Sequence, residues 1–509
     1  LKYRDRSSTV KSDTPLERIF MNKLALLLAL ALSLCAYGDD LPATIDPLVR
    51  VVDLSVGETT EIELHDGSKA TVALLAINEH YERLRKAVLG ATLQVRINGV
   101  ESTLESGPYR RPVTIAGVQI DCTATAGLGK NGDAAFWGLD KDARLRLWPE
   151  GSPLLLPGSM IYPIKQGWHA TRTWFDNEVV NGGAAMSDSV YYHAGMDIGA
   201  SEGLAEVIAA TDALVVQRGE NVLAGYEKDT PASPRYDVVY LLDGRGWYYR
   251  YSHLKEIAPN ILPGALIRQG DPVGIAGKEG ASGGWSHLHF EIKSRQPSGK
   301  WGTQAAYGFL HEAYVKEFGL KLYANARPAQ MIVAGEFAVL DASGSWSKDG
   351  AIVRYAWLLP DGVQAEARIK RRYDIPGFFC ETLKVTDASG DVAYDFAYVM
   401  VLDPADLTQY TASINLNHHP TRDIAPGDAI TFKVRGFRIK GGEERWDFGD
   451  GSPARTTISP EEAEPLAPEG YAELTHRYEK PGDYIVSVER THENGQVAHA
   501  KAWIRIKTR

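Results

Sequence analysis

The sequence predicts a mainly β, multi-domain protein, and three observations carry that reading. At 509 residues the chain exceeds one ordinary core, and three or four domains is the natural expectation. Apolar residues alternate with polar ones over short runs, the period-2 signature of half-buried strands. These runs are divided by turn dipeptides such as Asp66-Gly67 and Asn98-Gly99, in a chain with 49 glycines and 26 prolines.

From Met21 the chain reads MNKLALLLALALSLCAYGDD. Lys23 precedes an apolar run from Leu24 to Ala36, and Ala36-Tyr37-Gly38 offers a small-x-small cleavage site. Residues 21–38 are therefore expected to be a secretory signal peptide, with an apolar run too short for a membrane span of roughly 20 residues. Residues 1–20, polar and mixed in charge, are expected to be an upstream segment outside the natural start. Cys35 raises a lipoprotein alternative, but Leu34 just before it is bulky for a lipobox. The predicted location is secreted, or periplasmic within a cell envelope.

Residues 41–155 read as an N-terminal β module. VVDLSVGETTEIELHDGSKATVALLAI and ATLQVRINGVESTL alternate around their turns, and only His80 to Gly90 suggests a short helix. Residues 156–320 form a glycine-dense second unit whose tail, EAYVKEFGLKLYANARP, reads as a short helix or strand and a linker. Two further β units, 325–403 and 407–508, resemble one another weakly, each with an aromatic-centred strand, a glycine turn and a closing strand pair.

The formal charge is −10, and loss of residues 1–38 takes away six Lys/Arg and three Asp/Glu to leave −13. Such a chain is a poor partner for nucleic acid or anionic membranes. Cys122 and Cys380 are the cysteines left after residue 38, so ordinary cores and not disulfides must hold the domains.

Chemistry concentrates in three stretches. YYHAGMDIGA sets His193 and Asp197 four residues apart, and Gly195 and Gly199 favour extended or looped backbone over helix. In WSHLHFEIK, a strand sends His287, His289 and Glu291 to one face and Leu288, Phe290 and Ile292 to the other. The apolar trio anchors the strand while two imidazoles stand side by side on the open face. WYYRYSHLKEI is a strand-like run that ends at His253. Imidazole and carboxylate together are good zinc ligands. Glu291 reads as a supporting or solvent-facing group, and His169 reads more readily as packing than as cleft. The adjacent pair His418-His419 faces opposite ways in a strand and makes a poor chelate.

HAGMD at 193–197, YSHL at 251–254 and HLHFE at 287–291, in that order, resemble the lysostaphin-like (LytM-type) zinc endopeptidases of the duplicated hybrid motif type. The resemblance covers about residues 160 to 300. It implies that His193, Asp197 and His289 bind Zn²⁺, and that His253 and His287 flank the open coordination position. One of these two histidines then takes a proton from the attacking water and the other steadies the oxyanion. Two departures touch the scaffold and cleft wall: Ala213 replaces a turn glycine, and PRYDVVYLLD replaces a glycine-rich approach.

The C-terminal stretches AVLDASGSWSKDGAIVRYAWLLPDG and RWDFGDGS, with HRYEKPGDYIVSVE, resemble PKD-type immunoglobulin-like β-sandwiches. That resemblance puts Trp357 and Trp446 in cores and Gly377 and Gly482 in turns. The whole implies an exported zinc metalloendopeptidase that cuts peptide bonds, with peptidoglycan peptide or protein as substrate, and C-terminal modules that bind envelope polymers or proteins. The alternatives are a non-enzymatic scaffold that activates other wall hydrolases, and an adhesion protein working through its sandwiches.

Overall fold

The computed structural model describes residues 42–131, 136–174, 178–181, 185–186 and 190–508. The expected signal peptide, its cleavage site, Cys35 and the upstream segment lie outside them. The fold is mainly β: antiparallel sheets dominate, with one long helix, Ala306–Phe318, among the described residues.

The N-terminal stretch builds two four-stranded sheets. One is a meander of Thr59–Glu63, Lys69–Tyr81, Val88–Ile97 and Val100–Ser106. The other is ordered Arg50–Leu54, Ala143–Pro149, Val118–Thr125 and Val113–Ile115. Their inward residues, Leu74, Leu93, Ile120 and Leu145 among them, share one core. The Asn98-Gly99 turn takes φ of +48° and +83°, the two positive angles a two-residue hairpin needs. The helix expected over His80 to Gly90 is not formed. Strands enter that stretch from both ends, to Tyr81 and from Val88, and between them the Glu82 carboxylate accepts the Leu84 and Arg85 N–H groups to close a turn. Lys86 sits at φ +53°, which a helix does not tolerate.

The central sheet has nine strands. Its path runs Asn221–Val222, Ala213–Arg218, Val239–Asp243, Tyr248–Ser252, His287–Arg295, Met196–Gly199 and Thr173–Trp174. Leu266–Ile267 and Trp301–Gln304 pair at its flanks. The apolar side of the His287–Arg295 strand, Leu288, Phe290 and Ile292, is fully buried against Met196, Ile198, Tyr249 and Tyr251. Helix Ala306–Phe318 packs Phe309, Leu310 and Tyr314 into the same core, and Gly319 ends it in the left-handed conformation.

The C-terminal half is two sandwiches joined through one sheet: Gly377 and Phe378 pair in parallel with Val497 and Ala498. Trp357 and Trp446 are completely buried, one in each core. Gly377 and Gly482 open strands and do not lie in turns. At Gly377 a side chain would meet the Val497 carbonyl at 2.5 Å, so the contact between the sandwiches requires its absence. Cys122 and Cys380 are both buried free thiols.

Candidate metal centre and active site

Strand pairing brings the site together. Met196–Gly199 runs antiparallel to His287–Arg295, with Asp197 directly opposite His289 and Gly199 opposite His287. Directly opposed residues point to the same face with Cβ atoms about 5 Å apart, so carboxylate and imidazoles meet there. On the other side Ser252 pairs with His289, which leaves His253, one residue beyond that strand, beside the same face. His193 lies in the loop before Met196. Gly195, at φ +82°, returns the chain there, and any Cβ on it would meet the Phe290 carbonyl at 2.5 Å.

The three expected ligands converge. His193 Nε2 is 3.1 Å from Asp197 Oδ2, and His289 Nδ1 is 2.8 Å from Asp197 Oδ1. One donor atom from each of the three lies within 4.8 Å of the others. Two imidazole nitrogens and a carboxylate oxygen are the donor set that suits Zn²⁺, and their crowding fits a shared divalent ion. Burial would raise the Asp197 carboxyl, but His193 and His287 outweigh it and hold the group well below the usual range.

His253 and His287 stand beside this trio with ring centres 4.5 Å apart. His287 Nδ1 meets the Trp285 carbonyl at 3.0 Å, and His253 Nδ1 meets the Glu279 carbonyl at 2.7 Å. A carbonyl can only accept, so each Nδ1 carries a proton toward its carbonyl and each Nε2 points elsewhere. His287 Nε2 is 3.4 Å from Asp197 Oδ1. Burial first, and His287 second, push the His253 imidazole down to about 4. Its backbone is at φ +66°, held by the Asp237 carboxylate, which accepts the His253 N–H at 2.8 Å. Asp237 also pairs with Arg235.

Glu291 is buried, not solvent-facing. It accepts from Thr303 Oγ1 at 2.7 Å and lies 4.0 Å from His289 Nε2, on the side away from Asp197. At that distance it makes no hydrogen bond to the ring and acts on it through its charge. Lys293 and His289 outweigh its burial and hold it at about 2.

A cleft of about 390 Å³ opens over these groups. Tyr191, Arg235, Arg250 and Trp285 wall it, and Phe136 reaches it from the N-terminal stretch. Trp285 stacks on His287 with centres 3.9 Å apart. Sequence reasoning missed Asp237, Trp285 and Phe136 as site residues. An acidic residue opening the apolar run VVYLL was the available signal for Asp237; Phe136 offered none. His169 lies elsewhere, 3.7 Å from Asp395 and against Tyr323.

The loop Ser282–Ser286 before His287 is held from the second sandwich. Tyr471 Oη accepts the Ser286 N–H at 2.8 Å. Arg435 donates to the Gly284 carbonyl at 2.8 Å and also to the Ala463, Glu464 and Pro465 carbonyls. Gly284, at φ +83°, passes so close that a Cβ would meet Pro465 Cα at 2.9 Å.

Residues 191–300 match the family model for peptidase family M23, and residues 323–401 and 415–503 each match a PKD domain. The chain thus carries a LytM-type peptidase domain followed by two PKD domains. Such a peptidase domain is that of a metallo-endopeptidase, whose substrate is a peptide or protein. Among solved structures, Csd3 of Helicobacter pylori is similar at 15% identity and a TM-score of 0.22, over 43% of this chain and 49% of that one. The D00-D0 domain of intimin is similar at 15% identity and a TM-score of 0.15, over 36% of this chain and 98% of that one. No curated protein matches the chain. No helix among the described residues is long and apolar enough to cross a membrane.

Proposed function

We propose that this chain is an exported zinc metalloendopeptidase that hydrolyses peptide bonds in peptidoglycan cross-links. Its parts are an N-terminal module over 41–155, the peptidase over 156–320, and sandwiches over 325–403 and 407–508. The observation that carries the reading is the convergence of His193, Asp197 and His289 beside two histidines whose Nδ1 atoms are held by backbone carbonyls. All five lie along one cleft inside the M23 match.

His193, Asp197 and His289 hold the metal, and the Glu291 carboxylate stands behind His289. When bound, Zn²⁺ supplies Lewis acidity that makes water a nucleophile near neutral pH and polarises the scissile carbonyl. Of His253 and His287, one takes the proton from the attacking water and passes it on to the leaving amine, and the other steadies the developing oxyanion. The peptidoglycan assignment rests on the LytM-type motifs, and export rests on the signal-like residues 21–38. A scaffold that merely activates other hydrolases has no need to keep five ligand and catalytic positions filled and convergent.

The test pairs metal analysis with release of peptides from purified peptidoglycan. His289→Ala is expected to lose bound zinc and activity together. His287→Ala is expected to keep zinc and to lose turnover by about 10²- to 10⁴-fold. Retention of both zinc and turnover in both variants would overturn the assignment.

A further inference from the structure

Trp285 stands where the catalytic cleft meets a second cavity of about 220 Å³, and it lines both. The indole is half-buried and borders open space on two sides, without the close packing of a core. Its ring lies almost parallel to the His287 imidazole, with 16° between the planes and 3.9 Å between the centres. Two residues apart in extended chain, the two side chains leave by the same face. The backbone carbonyl of Trp285 also meets His287 Nδ1 at 3.0 Å. One residue therefore holds the imidazole twice, by its plane and by its Nδ1–H.

The second hold does what the first cannot. Histidine χ2 is a broad torsion, so a ring tied at one nitrogen still swings about its bond. His253, tilted at 54° with centres 4.5 Å apart, does not define the plane. His287 Nε2 lies 3.4 Å from Asp197 Oδ1, so any swing moves that atom relative to the metal ligands. A flat indole at stacking distance blocks the swing sterically.

Because no core packs the indole, its place depends on the chain to either side, and both flanking residues are held by the second sandwich. Arg435, 2% exposed, donates to the Gly284 carbonyl at 2.8 Å, and Tyr471 Oη accepts the Ser286 N–H at 2.8 Å. Tyr471 is fixed in turn by donating to Asn415 Oδ1 at 3.0 Å. From the peptidase, Ala200 N–H donates to the Ser286 carbonyl at 3.1 Å. We propose that Trp285 is a positioning residue, which clamps the His287 imidazole in its working orientation and passes to it the hold of the second sandwich. The proposal rests on the peptidase reading for the reaction that His287 serves, whereas the clamp itself stands on the stack and the loop contacts.

The test compares the full chain with Trp285→Phe and Trp285→Leu on a soluble cross-linked peptidoglycan fragment, with bound zinc and urea midpoint measured for each. Phenylalanine keeps a flat ring, and leucine keeps apolar volume without a plane. Trp285→Leu is expected to lose about 10- to 100-fold in kcat, the scale of a misplaced catalytic group, with KM moved by less than about threefold and zinc unchanged. Trp285→Phe should stay within about threefold of the parent in kcat. Tyr471→Phe should cost less than about 1.5-fold more in the Trp285→Leu background, because the two act along one line. A further readout needs no turnover. The His287 Hε1 resonance of a ¹³C-histidine-labelled chain, assigned by its absence from His287→Ala, should lie upfield under the indole and lose that shift in Trp285→Leu. If Trp285→Leu does not fold, Tyr471→Phe carries the test, since the same resonance should move part of the way in it. A loss confined to KM, an unchanged kcat in Trp285→Leu, an additive cycle or an unmoved resonance would each overturn the proposal. A parent chain that cleaves nothing while the resonance moves as expected removes the peptidase reading and leaves the clamp. An active parent with an unmoved resonance removes the clamp alone.

Discussion

Asp237 shows how one side chain governs a site it does not enter. It caps the His253 N–H, pairs with Arg235 and is itself inaccessible to solvent. Burial would raise its carboxyl, yet His253 and Arg235 hold it far below the ordinary range, so it is an anion at neutral pH. Asp237→Asn keeps the shape and an acceptor oxygen but removes the charge. Support groups of this kind typically cost 10- to 100-fold in activity when changed. A fall in kcat of about that size is expected, with KM moved by less than about threefold and bound metal unchanged. Loss of metal, or an unchanged kcat, would count against this role. At this scale the convergence of His193, Asp197, His253, His287 and His289 was legible in the sequence because they occupy ordered motifs. Arg235 and Asp237 stood in a segment noticed only as a departure. The partner of Asp237, the backbone N–H of His253, is 16 residues away and follows no spacing rule.

Among the elements, the strands announced themselves and the braces did not. The Asp66-Gly67 and Asn98-Gly99 hairpins were readable from turn chemistry, and the face of the His287–Arg295 strand from alternation. The helix expected over His80 to Gly90 failed because tertiary pairing of Tyr81 with Val88 outweighs a helix-favouring composition. The acidic stretch SPEEAEPLAPEG, residues 459–470, carries no sequence signal for its role, because that role depends on a neighbour in another module. Arg435 gathers its carbonyls, and Tyr471 beyond it grips Ser286, one residue before His287. Tyr471→Phe leaves the Ser286 N–H and the Asn415 amide oxygen without this hydroxyl. The expected cost is about 1–3 kcal/mol in unfolding free energy, read from the urea midpoint. A several-fold drop in kcat should accompany it, because the loop carries Trp285 against His287. A destabilised variant with full kcat would show that the brace serves folding alone.

Across the whole molecule, buried histidines make the packing of the modules sensitive to acid. His311, on the helix of the peptidase, accepts the Trp346 indole N–H of the first sandwich at 3.2 Å, and burial followed by Arg111 lowers it to about 3. His418 is 1% exposed in the second sandwich, stacked near Phe432, and burial followed by His419 lowers it to about 3 as well. Neither contact can be read from the sequence, since nothing along the chain says which modules will meet. A histidine with a depressed folded-state pKa binds fewer protons folded than unfolded between about pH 3 and the unfolded value of about 6.5. Its contribution is therefore complete above about pH 6.5 and is lost as pH falls toward 3. At pH 5 each group should have withdrawn on the order of 2 kcal/mol. Carboxylates add their own acid sensitivity, so the comparison must be made between variants. His418→Leu removes one titration and fills the space with apolar atoms. Its urea midpoint should fall less than that of the parent chain between pH 7.5 and pH 5, and His311→Gln should show the same flattening. Parallel pH profiles for the parent and both variants would mean that these imidazoles take up their protons without unfolding anything, and that the acid response lies in the carboxylates.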